Sequence, residues 1–122
     1  MSYTTFAYSG VGVSAKRVRA EDAVDVAVTV KNLGKMAGDT VVQVYAHEVS
    51  PKVAMPLESL VGFARVSLKA GEEKKVSVPV KVMRLRRWDD AGQKYVVDTG
   101  EWELRVGDSS SDLKGKAVVV VR

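Results

Sequence analysis

The sequence predicts an all-β protein folded as an antiparallel sandwich, and three observations support this prediction. Valine, a β-branched residue that suits pleated sheets better than helices, dominates the apolar positions of the 122-residue chain. Apolar and polar residues alternate with a period of two in several segments, as they do in strands with one buried face. Turn residues separate these segments at regular intervals, and the sequence has no convincing helical period longer than one turn.

The clearest strand covers residues 24–31, where every second residue is a valine. Turn residues follow at 32–34 and 37–39, and a second extended run covers residues 40–46. We interpret the two runs as a strand pair joined by a loop. Residues 48–56 contain two prolines and no regular period, which predicts a loop that crosses between sheets rather than a hairpin turn.

Further strands are expected in the rest of the chain. They cover residues 60–68, 76–82, 85–88, 94–97, 102–106 and 117–121. Pro79 cannot donate a hydrogen bond to a sheet, so its strand is expected at an edge or at a bulge. Residues 89–93 have the composition of a hairpin loop between two of these strands.

Composition excludes several functional classes. The chain has no cysteine, which excludes disulfides, thiolate metal sites and cysteine nucleophiles. Its net charge of +4 favours only weak attraction to anionic polymers, and no specific nucleic-acid partner is expected. No apolar run approaches the roughly 18 residues of a membrane span, and the start lacks the pattern of a signal peptide, so no membrane partner is expected. The length fits one domain, residues 1–122.

Two groups of polar residues are candidates for catalysis. His47 is the only histidine of the sequence, and a surface histidine is the simplest interpretation. Asp89 and Asp90 could be imagined as the carboxylate pair of a glycosidase, but such carboxylates stand about 5–10 Å apart across a substrate cleft. Turn formation explains two adjacent aspartates in a hairpin loop better. No catalytic residue is therefore assigned.

The loop from Asp108 to Asp112 offers oxygen ligands, but it lacks the spaced acids and the closing glutamate of a calcium loop. Neither a metal nor a cofactor is therefore expected. The more suggestive surface is a cationic run beside an aromatic residue, which could meet an anion or a glycan. Its members are Lys81, Arg84, Arg86, Arg87 and Trp88. The neighbouring Asp89 and Asp90 reduce its charge, and a solvated or domain-facing surface is the alternative.

The two tryptophans are expected to differ in how deeply they are buried. Trp102 lies in the inward phase of its strand and is assigned to the core. Trp88 leaves two alternatives open. If it is exposed with Tyr95 nearby, a carbohydrate-binding face becomes plausible, because flat aromatic rings pack on sugar rings.

Four ordered blocks of sequence are more specific than the alternation. They are Tyr3-Thr4-Thr5-Phe6, Val30-Lys31-Asn32-Leu33-Gly34 with Gly38-Asp39-Thr40-Val41-Val42-Gln43-Val44-Tyr45, Pro56-Leu57-Glu58-Ser59-Leu60-Val61-Gly62-Phe63-Ala64-Arg65-Val66 with Gly71-Glu72, and Thr99-Gly100-Glu101-Trp102 through Gly107. Together they resemble the fibronectin type III-like module at the C-terminal end of family 3 glycoside hydrolases, the β-glucosidases and β-xylosidases. Ala70 and Thr99 depart from this pattern, since the family often has proline there. These blocks look structural, with Phe63 as a large side chain suited to the core.

The resemblance implies an immunoglobulin-like, fibronectin type III-like sandwich without catalytic residues, because the family's nucleophile and acid/base lie in two other domains. It implies an accessory domain that docks on and stabilises the catalytic domains of a parent glycosidase, and it favours a periplasmic or secreted location. The alternative is an independent module that binds a polysaccharide or another anionic polymer through Trp88 and the arginines. A simple spacer is a third interpretation.

Overall fold

A computed structural model of the chain describes residues 5–49, 59–109 and 112–122, without the side chains of Ser59, Arg87, Ser109, Asp112 and Leu113. Strands and one short 3-10 helix make up most of these residues. The elements are β1 (Phe6–Val13), β2 (Arg17–Val18), β3 (Ala23–Asn32), β4 (Gly38–Glu48), β5 (Ser59–Leu68), β6 (Glu73–Lys81), the 3-10 helix (Val82–Leu85), β7 (Arg87–Asp89), β8 (Lys94–Val96), β9 (Gly100–Ser109) and β10 (Asp112–Val121). Among the described residues, no helix is long and apolar enough to cross a membrane.

The strands form a sandwich. One sheet has three strands in the order β1-β3-β6, and the other has five in the order β2-β10-β9-β4-β5. Strands β7 and β8 form a separate hairpin. Every pairing is antiparallel except the short contact between β2 and β10. The predicted all-β, antiparallel sandwich is confirmed.

The core lies between the two sheets and consists mainly of valine. Val24, Val26, Val28 and Val30 point inward from β3, as their alternation predicts, and all four are buried. From the five-stranded sheet, Trp102 and its inward neighbours on β9 join the same apolar cluster. The assignment of Trp102 to the core is therefore confirmed.

The strand pairing differs from the sequence interpretation in two places. Strands β3 and β4 are not a pair, because they belong to different sheets. Strands β4 and β5 are antiparallel neighbours, with Gln43 opposite Phe63, so the expected crossing between sheets after β4 is wrong. Strand β4 continues to Glu48, and residues 50–56 of the expected loop lie outside the described residues. The chain changes sheets earlier, between Asn32 and Gly38.

Two predictions for β5 and β6 have opposite outcomes. Phe63 is not a core residue, since 64% of it is exposed. It shares the outward phase of β5 with the exposed Arg65 and Ser67. Pro79 lies on β6, an outer strand of the three-stranded sheet, and pairs in regular register with Asp25. The predicted edge position of Pro79 is confirmed.

Candidate functional site

The chain leaves the sandwich after β6 and builds a small hairpin. The 3-10 helix buries Val82 and Leu85 against the core, which leaves Met83 and Arg84 exposed. Strand β7 then pairs with β8 so that Trp88 lies opposite Tyr95. The predicted hairpin is confirmed, although Leu85 belongs to the 3-10 helix and not to the strand.

Two rings and one cation meet on this hairpin, and we call Trp88, Tyr95 and Arg86 the aromatic corner. The ring centroids of Trp88 and Tyr95 are 5.1 Å apart and their planes meet at 75°, an edge-to-face contact. The Arg86 Cζ lies 4.8 Å from the Tyr95 centroid. Trp88 is 47% exposed and Tyr95 is 56% exposed. The corner therefore presents aromatic surface to solvent.

The predicted cationic run divides between two surfaces. Arg86 belongs to the aromatic corner, whereas Lys81 and Arg84 line a groove elsewhere. Arg87 lies in β7, and its side chain is not among those that the structure describes. Sequence proximity alone therefore overstated how many cations accompany Trp88.

The second surface is a groove between the edges of the two sheets, which we call the β5 groove. It has a volume of about 450 Å³ and is lined by Val61, Gly62, Phe63, Pro79, Lys81 and Arg84. Strand β5 approaches β6 closely at Gly62, where an added Cβ would lie 3.0 Å from Val78 Cγ1. Among the described residues, the lining includes two cations and no carboxylate, so the groove suits an acidic partner.

Beside the groove, the outward side of β4 and β5 carries exposed apolar residues. We call Val41, Leu60 and Phe63 the outer patch. Register places them along the same pair of strands, with Val41 opposite Arg65, Phe63 opposite Gln43 and Leu60 opposite Tyr45. The sequence interpretation missed this patch. Phe63 has the same strand phase as the charged Arg65, and this pattern indicates a side chain that faces solvent.

Charged residues occupy the same sheet further along, on β9 and its neighbours. Glu103 pairs with Arg105 at 3.0 Å and with Lys116 at 3.8 Å. The hydrogen bond from Arg105 and the positive charge of Lys116 hold the pKa of Glu103 below its ordinary value of 4.5. His47 is half-buried and lies opposite Glu103. This arrangement is an ion-pair network on a sheet surface.

The other polar candidates do not assemble into a site in the described part of the chain. Asp89 is half-buried and Asp90 is exposed, both at the end of the hairpin. Residues 110–111 of the expected oxygen-rich loop lie outside the described ranges. Among the residues that the structure describes, no group of three or more histidine and carboxylate side chains could hold a metal ion.

Comparison with known proteins matches the chain to one domain family and to one group of enzymes. The fibronectin type III-like domain family matches residues 40–110. The β-glucosidase BoGH3A of Bacteroides ovatus is 37% identical over 115 residues, which cover 94% of this chain and 15% of that enzyme. A β-xylosidase of Formosa agariphila is also 37% identical, over 98% of this chain and 17% of the enzyme.

The solved structures give the same result. The crystal structure of DesR, a β-glucosidase from Streptomyces venezuelae, superposes with a TM-score of 0.87 at 42% identity, over 100% of this chain and 15% of that chain. The chain thus spans about 15% of the length of these relatives, and the matched part is their small fibronectin type III-like segment rather than the catalytic one. The resemblance found in the sequence is confirmed.

Proposed function

The chain belongs to the fibronectin type III-like domain family, and from this premise we propose that it is a non-catalytic accessory domain of a family 3 glycoside hydrolase. The parent enzyme is of the β-glucosidase or β-xylosidase type. Residues 1–122 act as one domain that docks on the catalytic domains of the same enzyme and stabilises them. The domain works through its surface and supplies no reacting group.

One observation carries this proposal. Nearly the whole chain aligns with relatives, but it covers only 15% of the first of them. A segment that recurs as a small part of a longer enzyme shares an interface with the rest of that enzyme, and such interfaces commonly bury about 600–1,500 Å². This shared context supports the docking role.

The outer patch is where docking is expected. Val41, Leu60 and Phe63 expose apolar surface together, and exposed apolar clusters mark interaction sites in soluble proteins. The adjoining β5 groove adds Lys81 and Arg84, which would attract acidic residues of the docked domain. Apolar contact and complementary charge then act on the same partner.

A chimera tests the docking role. The corresponding domain of Bacteroides ovatus BoGH3A is replaced by this chain, and the melting temperature is compared with that of the enzyme lacking the domain. We expect the chimera to melt several degrees higher. The variant Leu60→Ser with Phe63→Ser should lose most of that gain, because both side chains are exposed in the free domain and buried on docking.

Met36→Ser is the matched control, because Met36 is also an exposed apolar residue but lies outside the outer patch. The isolated domain should melt at the same temperature with and without the patch substitutions. A chimera no more stable than the truncated enzyme would contradict the docking role. Full stability in the double variant would show that docking uses another surface.

The second candidate function is an independent module that binds a polysaccharide or another anionic polymer through Trp88, Arg84, Arg86 and Arg87. The exposure of Trp88 beside Tyr95 favours it. Binding that depends on the arginines should be weak and should fall steeply with salt, because it releases counterions. Titration with an anionic glycan at low and at physiological ionic strength, repeated with all three arginines changed to alanine, measures this contribution.

A further inference from the structure

We propose that the aromatic corner binds a neutral pyranose ring, which stacks on the face of Trp88. This inference deepens the second candidate function by naming the class of ligand, and it is independent of the docking role. The ligand is a sugar unit of an uncharged glycan. Its C–H bonds form an apolar face that an exposed indole can cover, while its hydroxyl groups point sideways to polar partners.

The rings are arranged as a supported platform. Because Tyr95 meets Trp88 at 75° with centroids 5.1 Å apart, each ring limits the rotation of the other. A ring held in place before binding loses little conformational freedom when a ligand arrives. Trp88 nevertheless keeps 47% of its surface in solvent. An indole that is both supported and exposed is suited to stacking.

Arg86 positions Tyr95 while its exposed guanidinium keeps its positive charge. Its guanidinium lies 4.8 Å from the Tyr95 centroid, within the range of a cation–π contact. That contact covers part of the tyrosine ring, and Tyr95 still keeps 56% of its surface in solvent beside Trp88. Arg86 is therefore a positioning residue for the corner.

The charges around the corner favour a neutral ligand over an anionic one. Asp89 follows Trp88 directly and lies opposite Lys94, so this pair of opposite charges occupies the other face of the hairpin from the two rings. Asp90 adds an exposed carboxylate. Arg84 lines the β5 groove and not the corner. Because cations and carboxylates are both present on the hairpin, it offers a polyanion no uniform positive charge, whereas sugar hydroxyls can bond to both signs of charge.

The two tryptophans allow a direct optical test. Trp102 is 2% exposed and donates its indole N–H to the carbonyl oxygen of Asp98 at 3.0 Å. A soluble quencher such as acrylamide therefore reports mainly on Trp88. The chain is titrated with neutral cellohexaose and xylohexaose, and with anionic polygalacturonate, at low and at physiological salt. We expect a neutral hexasaccharide to protect Trp88 from quenching, with affinities at the two salt concentrations within about twofold.

Substitutions separate stacking from charge. Trp88→Ala should abolish neutral-glycan binding, and Trp88→Phe should retain part of it. Binding to these variants is measured by calorimetry, because they lack the fluorescent Trp88. Arg84→Ala and Arg86→Ala form a matched pair of exposed arginines. We expect Arg84→Ala to leave the affinity unchanged and Arg86→Ala to weaken it several-fold. Equal melting temperatures of the variants establish that the fold is intact.

Each contrary result has a distinct meaning. One contrary result is binding of polygalacturonate alone, which disappears at physiological salt and falls equally in both arginine variants. That result would overturn the neutral-ligand inference and leave the second candidate function in place. If no glycan of either kind binds, both are overturned. Neutral-glycan binding that survives Trp88→Ala places the sugar elsewhere and also overturns the inference.

Discussion

At the residue scale, Asn32 links two connections of the sandwich through hydrogen bonds. It is fully buried at the end of β3. Its side-chain Nδ2 donates to the carbonyl oxygens of Met36 at 2.9 Å and Leu68 at 3.2 Å, and its Oδ1 accepts from the Gly34 N–H at 2.8 Å. Its backbone oxygen also accepts from the Gly71 N–H. One amide thus joins the turn before β4 to the turn before β6.

Removing this amide should be costly. Asn32→Ala loses three hydrogen bonds of about 0.5–1.5 kcal/mol each, so we expect the free energy of unfolding to fall by about 2–4 kcal/mol. Urea unfolding measures the change. Leu33→Ala, at the exposed neighbouring position, is the control and should change little. An Asn32→Ala loss below about 0.5 kcal/mol would show that the bonds are replaced by water.

Val28 tests the core. It is fully buried in the middle of β3 and lies opposite Val76 on β6. Val28→Asp places an unpaired carboxylate among apolar side chains, which costs several kcal/mol of a total stability of about 5–15 kcal/mol. The variant should be largely unfolded by circular dichroism. Lys31→Asp, on the exposed side of the same strand, should keep a melting temperature close to that of the parent.

Glu103 gives the domain a predictable response to acid. Because its pKa in the folded protein lies below the ordinary value of 4.5, the folded state favours the carboxylate. Its contribution to stability is therefore complete above that value and is lost as the pH falls through the lowered pKa. Glu103→Gln should narrow the difference in melting temperature between about pH 7 and about pH 3. An unchanged difference would mean that the ion pairs with Arg105 and Lys116 contribute nothing.

At the scale of elements, the close contact between β5 and β6 depends on Gly62, because glycine has no side chain. A Cβ on Gly62 would lie 3.0 Å from Val78 Cγ1 and 3.2 Å from both the Pro79 carbonyl oxygen and Val80 Cγ2. Gly12 on β1 has nothing within 4 Å of the same position. These two strand glycines are therefore a matched pair.

We expect Gly62→Ala to lower the free energy of unfolding by about 1–3 kcal/mol, because the two strand edges must separate. Gly12→Ala should be neutral or stabilising by up to about 1 kcal/mol, since alanine restricts the unfolded chain. Denaturant titration of both variants measures the difference. Equal effects in the two variants would show that the close approach of the edges adds no constraint.

Sequence patterns predicted the strands better than their partners. Alternation is local, so the inward valines of β3 and Trp102 on β9 were assigned correctly from their phase alone. Which sheet a strand joins depends on contacts distant in sequence. The turn at Asn32 therefore looked like a hairpin, although it carries the chain into the other sheet.

The sequence also predicted part of the candidate site but not the whole of it. The sequence pointed to Trp88 and Tyr95 as a conditional pair, and their register across the hairpin meets that condition. The sequence did not show that Arg84 and Arg86 lie on different surfaces. The 3-10 helix, which ends at Leu85, turns the chain between them. Phe63 was assigned to the core from its size, whereas its strand phase placed it outside. For Phe63, the phase shared with Arg65 and Ser67 was a better guide than size.

At the scale of the whole molecule, the isolated domain should not be an enzyme. The chain matches the fibronectin type III-like part of its relatives, and its sequence contains no motif for a glycosidase nucleophile or acid/base. We expect no turnover of an aryl β-glucoside or an aryl β-xyloside by the pure chain. The contrary finding would be turnover that a single substitution within this chain abolishes.

Pro79 affects how readily one copy of the domain can add a strand to the sheet edge of another. The free edge of a sheet is a template on which another chain can add a strand, and such addition is the first step of ordered aggregation. On the outer strand β6, Pro79 has no N–H to offer to an incoming strand, and exposed lysines at positions 74, 75 and 81 repel a second copy. The edge that the proline interrupts is thus a poor template for a strand of a second copy.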